Sequence, residues 1–227
     1  MSPDAPETAA DAVASLRDRL REAARPEPDV SPLDPERVPD EPLALFRSWL
    51  DEAIDGDVVQ PHAFVLATTS TASGPTARTV LLKDLDEAFW FASSVESPKG
   101  VQMTEDDRVA LTFTWEAQGR QVRVLGTASA GPRDVAEADF LHRHPDTRAA
   151  AIAVPQSAEF DPDEADAALR AARTRLDADP DLVPADWTAW RVDPVSVEFW
   201  QASTGRDQVR VRYERVGDDW RRASLWP

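Results

Sequence analysis

Three consecutive stretches govern the reading of this chain: Ala63-Phe64-Val65-Leu66-Ala67-Thr68-Thr69, the turn Ser73-Gly74-Pro75, and Arg78-Thr79-Val80-Leu81-Leu82-Lys83. Apolar and β-branched residues fill both runs, and the Gly-Pro pair between them supplies a reversal. Residues 88–93, 108–115 and 120–130 continue the series. Five short strands with turn signals between them predict a barrel or a sandwich. Two helical segments follow, over 134–142 and 161–176. In the second, Asp161 can cap free N–H groups, Pro162 suits the first helical position, and Glu164 completes a capping-box pattern. A final β unit is expected over 190–200, 208–215 and 220–225, with Gly217-Asp218 as its hairpin turn. Upstream, Leu43, Phe46, Leu50 and Ile54 recur at helical spacing from Pro42, and Gly56 supplies a stop. The fold class is therefore mainly β with flanking helices.

The 227 residues contain no cysteine, which removes disulfide frameworks, thiolate metal sites and cysteine nucleophiles together. Acidic residues outnumber basic ones 42 to 25, for a net charge of −17, a field that repels nucleic acid. No apolar run approaches the length of a membrane span. The opening Met1-Ser2-Pro3-Asp4-Ala5-Pro6-Glu7 lacks the basic and apolar regions of a signal peptide, so a cytoplasmic protein is expected. The first 42 residues hold eight of the 19 prolines, with eleven acids against five arginines, a net −6. Residues 1–41 are read as an acidic, proline-rich mobile arm, with one helical stretch over 11–24 where Val13, Leu16 and Leu20 share a face. The folded domain is placed at 42–227. A second acidic segment, 161–186, has eight acids against three arginines, a net −5. Both acidic segments are expected to lie mostly away from the strands that line a site.

Three stretches could carry chemistry. Arg78 and Lys83 bracket an apolar strand, where they are either two anion holders or two solvated strand-end charges; by alternation they point opposite ways unless the strand bulges or ends. Ser93-Ser94-Val95-Glu96-Ser97-Pro98-Lys99-Gly100 combines hydroxyls, a lysine and a helix start, a plausible anion cradle without the glycine pattern of a phosphate loop. The third is Glu198-Phe199-Trp200-Gln201 with Arg206, Arg210 and Arg212. There an indole offers a face to a flat ring and arginine offers a planar fork; barrel packing and surface ion pairs are the alternative. His62, His142 and His144 lack metal-ligand spacing, and no metal site is expected. No serine sits in a nucleophile-elbow pattern.

Taken in order, these stretches resemble the pyridoxamine 5′-phosphate oxidase family. The resemblance rests on Arg78-Thr79-Val80-Leu81-Leu82-Lys83, Arg120-Gln121-Val122-Arg123-Val124, Gln156-Ser157, and Val197-Glu198-Phe199-Trp200-Gln201 with Arg206, Arg210, Tyr213 and Leu225-Trp226-Pro227. It covers residues 42–227 and implies an FMN-binding split β-barrel, a homodimer with one FMN in each of two sites between the subunits. Carried over position by position, the FMN contacts fall on Arg78, Thr79, Val80, Leu81, Lys83, Ser93, Lys99, Gln121, Gln156, Ser157, Trp200 and Arg210. Substrate contacts fall on Lys83, Asp139, Arg143, Thr147, Arg206 and Gln208, with Arg206 in the catalytic position. The family reaction passes a hydride from a small-molecule substrate to the flavin, and molecular oxygen reoxidises the flavin to give peroxide.

Departures from the family pattern point to a different substrate. Pro98 replaces an arginine in the phosphate-binding Ser-Arg-Lys, and Ala92 replaces a tyrosine. Asp139 replaces a substrate-contacting tyrosine, and the family's Arg-x-His is Arg206-Asp207-Gln208. Glutamine carries no charge at any working pH, and a carboxylate at 139 disfavours a nearby phosphate. Phe91-Ala92-Ser93 and Ser97-Pro98-Lys99-Gly100 are similar to the phenazine-biosynthesis branch. The expectation is an oxidase of a cyclic amine or partly reduced ring; oxidation of pyridoxine or pyridoxamine 5′-phosphate is the alternative. A flavin carrier or a flavin or deazaflavin reductase is the alternative of another class.

Overall fold

The computed structural model describes residues 16–21, 30–154, 156–159, 161–202 and 208–226. Helix α1 (Pro42–Asp55) precedes β1 (Ala63–Thr68), β2 (Thr76–Leu81), β3 (Asp84–Leu85) and β4 (Phe89–Ser94). Helix α2 (Pro98–Glu105) leads to β5 (Arg108–Trp115) and β6 (Arg120–Ala130), then to α3 (Arg133–His142), α4 (Pro145–Ala153) and α5 (Pro162–Ala178). Strands β7 (Trp187–Gln201), β8 (Val209–Val216) and β9 (Asp219–Ser224) close the chain. Every strand pairing is antiparallel, in the order β2-β1-β5-β6-β7-β4-β3, with β8 and β9 branching from β7. The sheet curls into a half-barrel flanked by helices.

The branch has a local cause in β7. Its first half pairs β4, from Trp187 opposite Ser94 to Val192 opposite Phe89; its second half pairs β8, from Ser196 opposite Glu214 to Gln201 opposite Val209. Between them lie Pro194, which has no N–H to give a ladder, and a register shift against Leu125 and Gly126. A bulge at that point increases the local twist and turns the strand toward a new neighbour. A Cβ on Gly126 would sit 2.5 Å from the Asp193 carbonyl oxygen, so glycine is what lets the two strands approach there.

The core fills from α1 outward. Leu45, Phe46, Trp49 and Ala53 are buried on one helix face. Phe46 meets the rings of Phe113 and Phe89 at centroid distances of 4.7 and 5.0 Å. Ile54, expected on that face, is 55% exposed, because it lies one helical step beyond Ala53 and points off the stripe. The expected strand at 78–83 runs instead from Thr76 to Leu81, and the last β unit starts at Trp187 rather than 190. Helix α4 has no counterpart in the sequence reading: Ala149, Ala150 and Ala151 give it no apolar periodicity to detect.

The expected start of the folded domain at Pro42 is too late. Leu33 is in the core, and main-chain carbonyls of the preceding segment accept side-chain hydrogen bonds from the C-terminal strands. Gln201 Nε2 donates to the Ser31 oxygen at 3.0 Å, Tyr213 Oη to the Pro39 oxygen at 2.7 Å, and Arg222 Nη1 to the Val38 oxygen at 2.9 Å. Proline density blocks strand pairing but leaves carbonyls free to accept, so a segment unfit for a ladder is still tied down. Of the helix expected over 11–24, residues 16–21 are helical; the rest lies outside the described residues. No helix among the described residues is long and apolar enough to cross a membrane.

If the strap at 30–41 is held as described, Tyr213→Phe lowers stability by about 0.5–1.5 kcal/mol, the worth of one hydrogen bond. Urea unfolding should show a lower midpoint at unchanged slope; an unchanged midpoint would mean that Tyr213 does not hold the strap.

Candidate active site

Helix α2 begins on a tight seat. The Ser97 hydroxyl accepts from the Gly100 N–H at 3.3 Å and donates to the Ser94 carbonyl at 2.7 Å. A Cβ on Gly100 would stand 2.4 Å from the Val95 carbonyl oxygen and 2.6 Å from that of Ser94, so only glycine lets the helix start lie on this backbone. Pro98 takes the first helical position, where a missing N–H costs nothing. This geometry turns Lys99 inward, leaving it 4% exposed. Its ammonium donates to Ser97 Oγ and to Gln156 Oε1. Burial, with a smaller contribution from the Arg78 charge, pushes its pKa down to about 8.

Arg78 is held as firmly. Its guanidinium donates to the Leu66 carbonyl, the Thr68 and Thr76 hydroxyls and Gln102 Oε1. Every one of these acceptors is neutral, and so are both partners of Lys99. Neither cation has a carboxylate partner among the described residues. Two neighbouring, partly desolvated cations without a counter-anion are unfavourable alone and favour an anion between them. Gln102, absent from the sequence reading, organises the cluster: its Oε1 accepts from Arg78 and from both threonines. A glutamine in mid-helix gives no signal of such a role.

Lys99 opens into a cavity of about 830 Å³ lined by residues from β2, β4, α4 and the segment before β7. Of the expected site residues, it brings together Val80, Leu81, Lys83, Ser93, Lys99, Arg143, Thr147 and Gln156. Strand β2 ends at Leu81, which frees Lys83 to turn toward this side. There its ammonium lies 3.6 Å from Asp139 Oδ1. The other oxygen of Asp139 accepts from Trp187 Nε1 at 3.1 Å, and the Arg143 guanidinium stacks 4.6 Å from the Trp187 ring centre. Arg143 Nε is buried and has no hydrogen-bond partner among the described residues.

Not every expected residue lies here. Thr79 and Ser157 are exposed and do not line the cavity. Gln121, Trp200 and Arg210 form a separate row, paired across β6, β7 and β8. Trp200 Nε1 donates to Gln208 Oε1 at 3.0 Å, and Arg210 Nη1 lies 3.1 Å from Glu198 Oε1. Arg206, expected in the catalytic position, lies outside the described residues. Two of the three histidines make local contacts: His142 Nδ1 is 2.7 Å from the Ala138 carbonyl, and His144 Nδ1 accepts from the Asp146 N–H.

Segment 161–186, expected to lie mostly away from the strands that line a site, reaches the cavity at its end. Arg175, Leu182, Pro184, Ala185 and Asp186 all line the cavity. Two arginines fold this irregular stretch inward. Arg148 donates to the Pro180 and Leu182 carbonyls, and Arg133 to those of Pro184 and Trp187.

Comparison with known proteins agrees with this architecture. The family model described as pyridoxamine 5′-phosphate oxidase matches residues 50–201, and the pyridoxine 5′-phosphate oxidase C-terminal dimerisation region matches 187–227. The chain is 36% identical over 222 residues to a pyridoxine/pyridoxamine 5′-phosphate oxidase of Salinibacter ruber, covering 95% of this chain and all of the relative. A namesake from Acidothermus cellulolyticus is 37% identical over 78% of this chain and 81% of its own length. Among solved structures, PhzG from Burkholderia lata 383, in complex with tetrahydrophenazine-1-carboxylic acid, superposes with a TM-score of 0.80 at 29% identity, over 88% of this chain and 99% of its own.

The depressed Lys99 pKa gives a signed pH dependence. Between about pH 8 and 10.5 the unfolded chain keeps a proton that the folded Lys99 has released. More protons bound in the unfolded state means stability that rises with pH across this window. Ligand-free protein should show that rise in its urea midpoint relative to Lys99→Met, which removes the titration; parallel profiles would mean that Lys99 is not the depressed group.

Proposed function

The chain belongs to the pyridoxamine 5′-phosphate oxidase family, and from that premise we propose that it is an FMN-dependent oxidase of a cyclic amine or partly reduced ring. The observation that carries the cofactor is the pair Arg78 and Lys99, with no carboxylate between them and only neutral hydrogen-bond partners. A phosphate monoester supplies the missing negative charge and accepts from both, with the Ser97 hydroxyl beside them. Ser93, Gln156 and the Val80-Leu81 edge of β2 then border the body of the cofactor. When bound, FMN supplies the acceptor for a hydride and a route for the electrons to oxygen, yielding peroxide.

Gln121, Trp200 and Arg210 lie outside the cavity, and a second copy of the chain resolves their distance from it. The sheet face formed by β1 and β6 leaves Val65 42% and Leu125 45% exposed, an apolar surface that favours a partner. In a homodimer, the row on one copy completes the cavity of the other, and the indole and amides flank the flavin ring. The protein's task is then orientation: cations anchor the phosphate, the row holds the ring, and the remaining cavity aligns the substrate carbon against it. Arg206 is assigned to closing over the substrate.

The Lys83–Asp139 contact supports a substrate class without a phosphate. Asp139 offsets the charge of Lys83 and puts a carboxylate where a substrate phosphate would need to approach. Gln208 spends its carbonyl oxygen on Trp200 and adds no charge. Both features favour a ring without a phosphate. A second reading is supported by Arg143, whose buried Nε has no partner among the described residues and which lines the cavity together with Thr147. That cation could still take the phosphate of pyridoxine or pyridoxamine 5′-phosphate.

Turnover of both vitamers with FMN and oxygen separates these readings: efficient formation of pyridoxal 5′-phosphate would sink the specialised one. A protein that stays colourless after soaking with FMN would defeat the cofactor assignment, and a yellow protein that consumes no oxygen would favour a carrier or reductase. Arg78→Ala should weaken FMN by about 1.5–3 kcal/mol, the worth of a charge-assisted contact. Arg206→Ala should leave the flavin bound and slow turnover. In flavin titrations above pH 8, affinity should fall as Lys99 loses its proton, by up to about tenfold per pH unit.

A further inference from the structure

We propose that Gln102 is the positioning residue that makes the anion seat prefer a flavin carrying a phosphate over one without. The inference rests on the flavin-oxidase reading and adds to it the residue that fixes how Arg78 is presented. A guanidinium has five N–H donors. The two terminal nitrogens of Arg78 give theirs to the Leu66 carbonyl, to Thr68 and Thr76 Oγ1 and to Gln102 Oε1, the last at 3.3 Å. Its Nε–H is left with no partner among the described residues. Both hydroxyls in turn donate to Gln102 Oε1, Thr68 from β1 and Thr76 from β2. One amide oxygen therefore sets the direction of two hydroxyls, whose remaining lone pairs accept from the guanidinium.

The amide is itself fixed. Gln102 is 6% exposed, and its Nε2 donates to Ser73 Oγ in the β1–β2 turn at 2.6 Å. Turning it over would set an NH2 group against the N–H donors of Arg78, so cation and amide lock each other. Gln102 stands three residues after Lys99, on the same face of α2. The helix thus delivers both the Lys99 ammonium and the oxygen that aims Arg78. An amide suits this place because it offers an acceptor without a full negative charge: orientation is obtained and the cation is left for a ligand. Leucine at 102 would deprive two hydroxyls and Nη2 of their common acceptor and let the guanidinium turn. A cation already held loses less freedom on meeting a phosphate than one the phosphate must order. A flavin without a phosphate has no group for this seat, so the benefit is confined to FMN.

Ligand-free protein is titrated with FMN and with riboflavin, following the quenching of flavin fluorescence. The wild type should bind FMN the more tightly. Gln102→Leu should lower FMN affinity about tenfold or more and leave riboflavin within about twofold, a change of ratio that general loosening of the helix would not produce. Thr76→Val removes one hydroxyl of the network and keeps its shape. It should lower FMN affinity about two- to tenfold and also spare riboflavin, and it decides the matter if Gln102→Leu fails to fold. Equal losses for the two flavins, or FMN affinity unchanged in either variant, would overturn the positioning role. Inorganic phosphate gives a readout without flavin: at constant ionic strength it should raise the urea midpoint of the wild type and not that of Gln102→Leu. Protection that survives Gln102→Leu would also overturn the role. A wild type that gains stability from phosphate but takes up neither flavin would instead defeat the flavin reading and leave Gln102 assigned to an anion seat.

Discussion

The structure turns on a pair of cations, Arg78 and Lys99, that have no carboxylate partner among the described residues. Lys99 is buried on the first turn of α2, Arg78 is threaded among hydroxyls and carbonyls, and each makes its hydrogen bonds to neutral acceptors. Such an arrangement is costly in an empty protein, because desolvation is not offset by an opposite charge. It is favourable once an anion arrives. Much of the surrounding geometry serves to hold it: Gly100 lets the helix sit on the 94–95 backbone, Ser97 caps it, and Gln102 binds the arginine to two strands. The depressed Lys99 pKa is the thermodynamic mark of the same strain.

Asymmetry of charge then sorts the rest of the cavity. On the cavity wall Lys99 has no carboxylate partner among the described residues, whereas Lys83 stands against Asp139, which accepts from Trp187. Arg143 and Arg175 line the same cavity. That difference in charge is what the proposed function rests on: an anion at Arg78 and Lys99, and a ring without a phosphate near Lys83 and Asp139.

Arginine hydrogen bonds to main-chain carbonyls hold the irregular segments in place. Arg133 and Arg148 fold the stretch before β7 into the cavity wall, Arg222 holds the strap at residue 38, and Arg47 reaches the Leu85 carbonyl at β3. These contacts explain why acidic, proline-bearing segments that look like tails are parts of the structure. A polar, proline-rich composition predicts the absence of a ladder; it says nothing about side-chain donors arriving from elsewhere in the chain.

The sequence by itself determined the alternating strands: β5 and β6 run over the expected residues, because period-2 burial is a local property visible in Val109, Leu111, Phe113, Val122 and Val124. It also marked Arg78, Lys83 and Lys99 as candidate anion holders by residue type, whereas Arg143 and Gln156 entered only through the family resemblance. Helix α4 escaped because alanines carry no periodic signal, and the strap escaped because its bonds come from residues about 170 or more positions away. Only the tertiary structure decided that Asp139 would meet Lys83, that Arg175 would reach the cavity, and that Gln121, Trp200 and Arg210 would lie apart from it. Each of these depends on how separate elements pack, and packing is set by contacts between distant residues that no local pattern encodes.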